Sequence, residues 1–202
     1  MAVVTGIAFP LVMIAVRNYI IDTQGMRDAG YCEAMNRISS YYLMFINSIM
    51  ALYFLPRFAE INNKKEFRKE VFSFYKTIIP FLLGGLVFMY VLRSLIIRIV
   101  FTDEFAPVEN LFLWQLFGDF LKVLSMVIAY QFLAKKMFWH YILTEAFLVV
   151  ILYATSIYFI DVYDSVKGAV IAHFVSYVMY YAIILLIFGS SLFGVDAEKN
   201  IN

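Results

Sequence analysis

Of 202 residues, 63% are hydrophobic and only 15% are charged, against about 25% charged in a typical soluble domain. Folded in water, such a chain would expose its apolar surplus, which excludes an ordinary soluble globule. The formal charge of +1 gives no basis for a nucleic-acid partner, and the single cysteine, Cys32, rules out an internal disulfide framework or a cysteine metal site.

A membrane helix needs about 20 mostly apolar residues to cross ~30 Å, and six segments qualify in chain order. The first, about 2–21, has Pro10 at mid-helix and Arg17 and Asn18 in its outer third. The second, about 30–55, carries Glu33, Asn36, Arg37 and Ser40, continued by Asn47 and Ser48 along one stripe. The third, about 77–101, holds Pro80, Gly84 and Gly85, with Arg93 and Arg98 near its end. The fourth, about 109–133, carries Gln115, Asp119 and Lys122 on one face. The fifth, about 138–160, has Glu145 two turns in, and the sixth, about 166–188, places His173, Ser176, Tyr177 and Tyr180 on one face. Strand readings fail on length and on the absence of alternation. The predicted fold is all-α: a polytopic membrane bundle of six transmembrane helices over 1–189, followed by a cytoplasmic tail, 190–202. No charged n-region with a cleavage site opens the chain, so no signal peptide is expected.

Orientation follows from the basic residues beside the spans. The 56–76 connection holds Arg57, Lys64, Lys65, Arg68, Lys69 and Lys76, and the next basic turn holds Lys135 and Lys136. The other connections contribute only Arg27 and Lys167 and are otherwise acidic, with Asp22, Asp28, Asp103, Glu104, Glu109, Asp161 and Asp164. The positive-inside rule makes the basic loops cytoplasmic, and both termini with them.

Ionisable residues within spans are costly and by default face a cavity or a partner helix. Asp119 and Lys122 fall near the midplane and, three apart, are placed to pair with each other. That pair also reads as structural glue between helices. Arg17, Glu33 and Arg37 lie nearer the outer interface, where snorkelling into headgroups competes with a cavity role. Arg93 and Arg98 read as snorkelling residues, and His173 as a hydrogen-bonded packing residue. Trp139, Tyr141, Tyr158 and Tyr163 fit an interfacial aromatic belt. Pro10, Pro80 and the Gly84-Gly85 pair read either as simple kinks or as the broken helices common in transporters. Together the stripes point to a water-accessible cavity, amphoteric to cationic, that suits an anionic solute or headgroup.

The run Thr102-Asp-Glu-Phe105, the run Leu111 to Lys122, most specific from Trp114 on, Ala134-Lys135 and Tyr141 to Glu145 resemble Wzx-type flippases. These are the O-antigen and enterobacterial-common-antigen (lipid III) translocases of the multidrug/oligosaccharidyl-lipid/polysaccharide exporter superfamily. Ala2 to Arg17 with Pro10, Ala29-Gly30, Leu55-Pro56, and Gly168-Ala169 with Ala172 and the Tyr177 to Tyr181 cluster extend the resemblance over nearly the whole chain. Cys32 departs from the large aromatic expected at its position. The resemblance implies one lobe, the second, of a twelve-helix transporter that moves undecaprenyl-pyrophosphate-linked oligosaccharide to the periplasmic leaflet by alternating access. It implies the bacterial inner membrane, no cofactor, and no enzyme activity. Its implied partners are membrane lipids, a missing N-terminal lobe or a second copy, and polysaccharide polymerase and chain-length machinery. Met1 then reads as an internal methionine, and the chain as a half-transporter, a fragment or a truncated gene.

The family's intramembrane charges map onto Arg17, Asp119, Lys122 and Glu145, while Glu33, Arg37 and Gln115 enter from the stripe argument. On this reading Arg17, Arg37 and Lys122 attract pyrophosphate, and Asp119 or Glu145 takes up protons or ions. Two other classes stay open. A drug or cation antiporter of the same superfamily needs a net-acidic cavity. A membrane enzyme of polysaccharide assembly needs a large outer loop or surface carboxylates, and no nucleotide or metal motif is present.

Overall fold

A computed structural model describes residues 2–61, 63–135 and 137–192 of the chain. Lys136 of the basic turn and residues 193–202 of the tail lie outside the described residues. Among those described, every regular element is helical, and six helices are long and apolar enough to cross a membrane. In chain order the α-helices are α1 (Ala2–Gln24), α2 (Met26–Ile49), α3 (Leu55–Glu60), α4 (Lys64–Val91), α5 (Arg93–Val100), α6 (Phe112–Ala134), α7 (Phe138–Tyr163) and α8 (Lys167–Leu192), and the spans fall on α1, α2 with α3, α4, α6, α7 and α8. A π-helical turn, Met50–Phe54, fuses α2 to α3, and a 3-10 segment, Asp103–Leu111, precedes α6.

Local chemistry sets the breaks. Gly25, at φ 93°, turns α1 back into α2 in a conformation that a side chain disfavours. Pro56 would clash with the carbonyl four residues before it in a regular helix; the widened π turn directly ahead absorbs that conflict. Asn63 caps α4 by accepting a 2.7 Å hydrogen bond from the Glu66 amide.

The third span differs from its predicted bounds. Helix α4 starts at Lys64 rather than near 77, and the chain breaks at Leu92 before α5. Its first turns bury Phe67, Val71 and Phe74, spaced i, i+4, i+7, while Lys65 and Lys69 face outward. The charges that mark this stretch as a connection are the polar face of an amphipathic helix.

Helix α8 packs most extensively on α7 and α6; α1 lies against α7 and α2, and α4 against α6 and α8. The span that contains α6 is the most enclosed, 61% of it buried against 11% for the span of α1. One apolar cluster gathers Ile20, Met35, Ile38, Phe112 and Val123, and a second gathers Phe54, Phe58, Phe132, Leu148 and Phe188. Gln115, Asp119 and Lys122 fall along α6 among members of the first cluster, Phe112, Leu116 and Val123.

Candidate functional site

Asp119 on α6 has no exposed surface. A buried carboxylate is tolerated only when its oxygens are satisfied, and three helices supply the donors. From α2, Ser39 donates to Oδ2 at 2.5 Å and the Tyr42 hydroxyl donates to the same oxygen. From α8, His173 Nε2 lies 3.0 Å from Oδ1. From α6 itself, the Gln115 amide approaches both oxygens at 3.4 and 3.5 Å. The Nε2–H tautomer of His173 is the one that donates to Asp119. Gly118 makes the His173 contact possible, because a β-carbon there would run into the imidazole edge. Gln115 Oε1 is buried without a partner.

Lys122, three residues on, stays within electrostatic reach of Asp119, but the direct ion-pair partner of Asp119 is His173. Its ammonium lies 5.6 Å from the ring centroids of both Phe9 on α1 and Tyr177 on α8, within cation–π range. It lines an open cavity of about 470 Å³ between α1, α6, α7 and α8. Glu145 lines the same cavity and accepts a 3.2 Å hydrogen bond from the Tyr180 hydroxyl. Cation and carboxylate thus share one space, set among tyrosines.

Arg17 and Glu33 line a separate, small cleft of about 20 Å³ between α1 and α2. Arg37 Nε donates to Glu33 at 3.1 Å, and both side chains are well exposed, at 65% and 41%. Exposed pairs of this kind contribute little stability.

The seven predicted residues therefore occupy three places. Gln115 and Asp119 meet in the buried cluster, Lys122 and Glu145 in the cavity, and Arg17, Glu33 and Arg37 at the α1–α2 face. The α2 stripe is satisfied largely within its own helix: Ser40 donates to the Asn36 carbonyl at 2.8 Å, and Ser48 to that of Met44 at 2.9 Å. Ser39 and Tyr42, which reach Asp119, were not on that stripe. The α8 face was legible, and each member has a distinct contact. His173 reaches Asp119, Ser176 meets Thr155 at 2.8 Å, Tyr177 faces Lys122 and Tyr180 holds Glu145.

Six helices long and apolar enough to cross a bilayer, with a small buried polar cluster between them, support a multi-pass α-helical membrane protein. Over 183 residues, 91% of its length, the chain is 27% identical to the lipid III flippase of Escherichia coli K12, and to that of Shigella flexneri to the same extent. In each case the match covers 44% of the relative, so the chain spans a little under half the length of the curated relatives it matches. No family model matches the chain. No solved structure matches it.

Proposed function

We propose that the chain forms one lobe of a transporter that moves an undecaprenyl-pyrophosphate-linked oligosaccharide from the cytoplasmic to the periplasmic leaflet of the bacterial inner membrane. The observation that carries this reading is the match to lipid III flippases along 91% of the chain. Alternating access needs two bundles that move against each other around one site. The second bundle is a further lobe or a second copy of this chain. The exposed cations Arg17 and Arg37 draw in the anionic headgroup, while the polyprenyl tail stays in lipid. The antiporter reading is weaker, because Lys122 stands beside Glu145 and the cavity is not net acidic.

The test is export of lipid-linked sugar in an Escherichia coli strain that lacks its own lipid III flippase. The chain, supplied with a matching first lobe, is expected to restore periplasmic delivery, and Lys122→Ala to reduce it at unchanged membrane abundance. No restoration by abundant protein, or full export by the variant, counts against the proposal.

A further inference from the structure

The 470 Å³ cavity is unlike a phosphate site. Diphosphate recognition favours several converging cations, above all the guanidinium fork of arginine. Here the cavity offers one lysine, held between two rings, and one carboxylate that offsets its charge. A polyprenyl chain fits no better, because seating hydrocarbon there would strip water from Lys122 and Glu145 without replacing their hydrogen bonds.

The remaining polar lining is dominated by tyrosines: Tyr130 from α6, Tyr141 from α7, and Tyr177 and Tyr180 from α8. Tyr130 and Tyr141 present flat apolar rings ending in hydroxyls, while Tyr177 and Tyr180 are buried beside them. A pyranose has the matching surface, a face of C–H bonds rimmed by hydroxyl or acetamido groups. Those groups both donate and accept, which suits a site holding an acceptor carboxylate, a donor ammonium and phenols that do both. The volume falls within the ~300–1,000 Å³ of ordinary small-molecule sites and suits one or two sugar rings.

We propose that this cavity within the lobe is a site for an uncharged pyranose, with ring faces against Tyr130 and Tyr141 and sugar hydroxyl or amide groups bonded to Glu145 and Lys122. The inference rests on the flippase reading and deepens it. The sugar and the pyrophosphate are met at different places, the pyrophosphate at the exposed arginines of the α1–α2 face. The site selects among sugars by their rim groups.

The protein, reconstituted in lipid nanodiscs, is titrated with N,N′-diacetylchitobiose and separately with inorganic pyrophosphate, with ligand-observed saturation-transfer NMR as the readout. The disaccharide is expected to bind with saturation concentrated on its ring C–H protons, and pyrophosphate is expected not to displace it. Replacing both Tyr130 and Tyr141 with Leu keeps the lining apolar and is expected to weaken binding at least tenfold. The Tyr130→Phe/Tyr141→Phe pair retains the rings and serves as the folding control, with binding within about threefold of the parent. Glu145→Gln is expected to weaken binding several-fold. Absence of disaccharide saturation in folded protein overturns the proposal, as does one-for-one displacement by pyrophosphate or equal binding by the Leu pair. If the disaccharide fails to bind while the protein still restores export, the sugar site falls and the transport reading stands.

Discussion

Asp119 gathers Ser39, Tyr42, His173 and Gln115 around a carboxylate that water does not reach. Removing one member leaves the others as buried groups without partners, at a cost of about 1–3 kcal/mol each. Asp119→Ala and His173→Ala are therefore each expected to destabilise the protein by that order. The double variant should lose less than the sum of the two, with a coupling of ~0.5–3 kcal/mol. Thermal unfolding in detergent checks this, and strictly additive losses would show that the two side chains do not act together. The α6 half of the cluster was legible, since a carboxylate deep in an apolar span must have partners. Ser39 and Tyr42 were not legible. The polar stripe on α2, from Glu33 to Ser48, marked a different face of the helix, and its members are satisfied largely within α2 itself. Ser40, one position and ~100° around from Ser39, was read as the stripe member instead.

At the scale of elements, the start of α4 shows how charge hides a helix. Six basic residues between 56 and 76 mark the stretch as a cytoplasmic connection, yet Phe67, Val71 and Phe74 keep helical spacing beneath them and enter the second apolar cluster. Average hydropathy is low there, and periodicity carries the signal instead. Phe67→Ala is expected to cost ~3–5 kcal/mol, as for other large core truncations, whereas Lys65→Ala and Lys69→Ala should stay within ~0.5 kcal/mol. A loop would give small losses in all three, so an unfolding midpoint unmoved by Phe67→Ala would contradict the packed helix. The break at Leu92 was harder to anticipate. The apolar run continues through it, and only the local backbone, at φ −88° and ψ 5°, separates α4 from α5.

For the whole molecule, the connections sort into two groups by direct contact. Lys135 in the α6–α7 turn donates to the carbonyls of Ala59 and Ile61 at the end of α3, which brings the two basic connections together. At the other end Tyr19 donates to Asp161 at 2.5 Å, Gln24 to Asp164 at 3.0 Å, and Tyr31 to the Glu104 carbonyl at 3.0 Å. The three acidic connections therefore share the opposite end. If six spans alternate in this way, the positive-inside rule predicts that the basic end faces the cytoplasm. The check uses single cysteines in a Cys32→Ser background and a membrane-impermeant thiol reagent on intact cells. Cysteines at Gln24, Ala106 and Ser165 are expected to react from the periplasm. Cysteines at Asn63 and Lys65 are expected to react only after the inner membrane is opened, and Lys65 guards against the ~1 kcal/mol that loss of the Asn63 cap costs α4. Reaction at both basic positions in intact cells would invert the molecule in the membrane. A split result within the acidic group would break the six-span alternation itself, because those three connections are tied to one end of the bundle by the contacts of Tyr19, Gln24 and Tyr31.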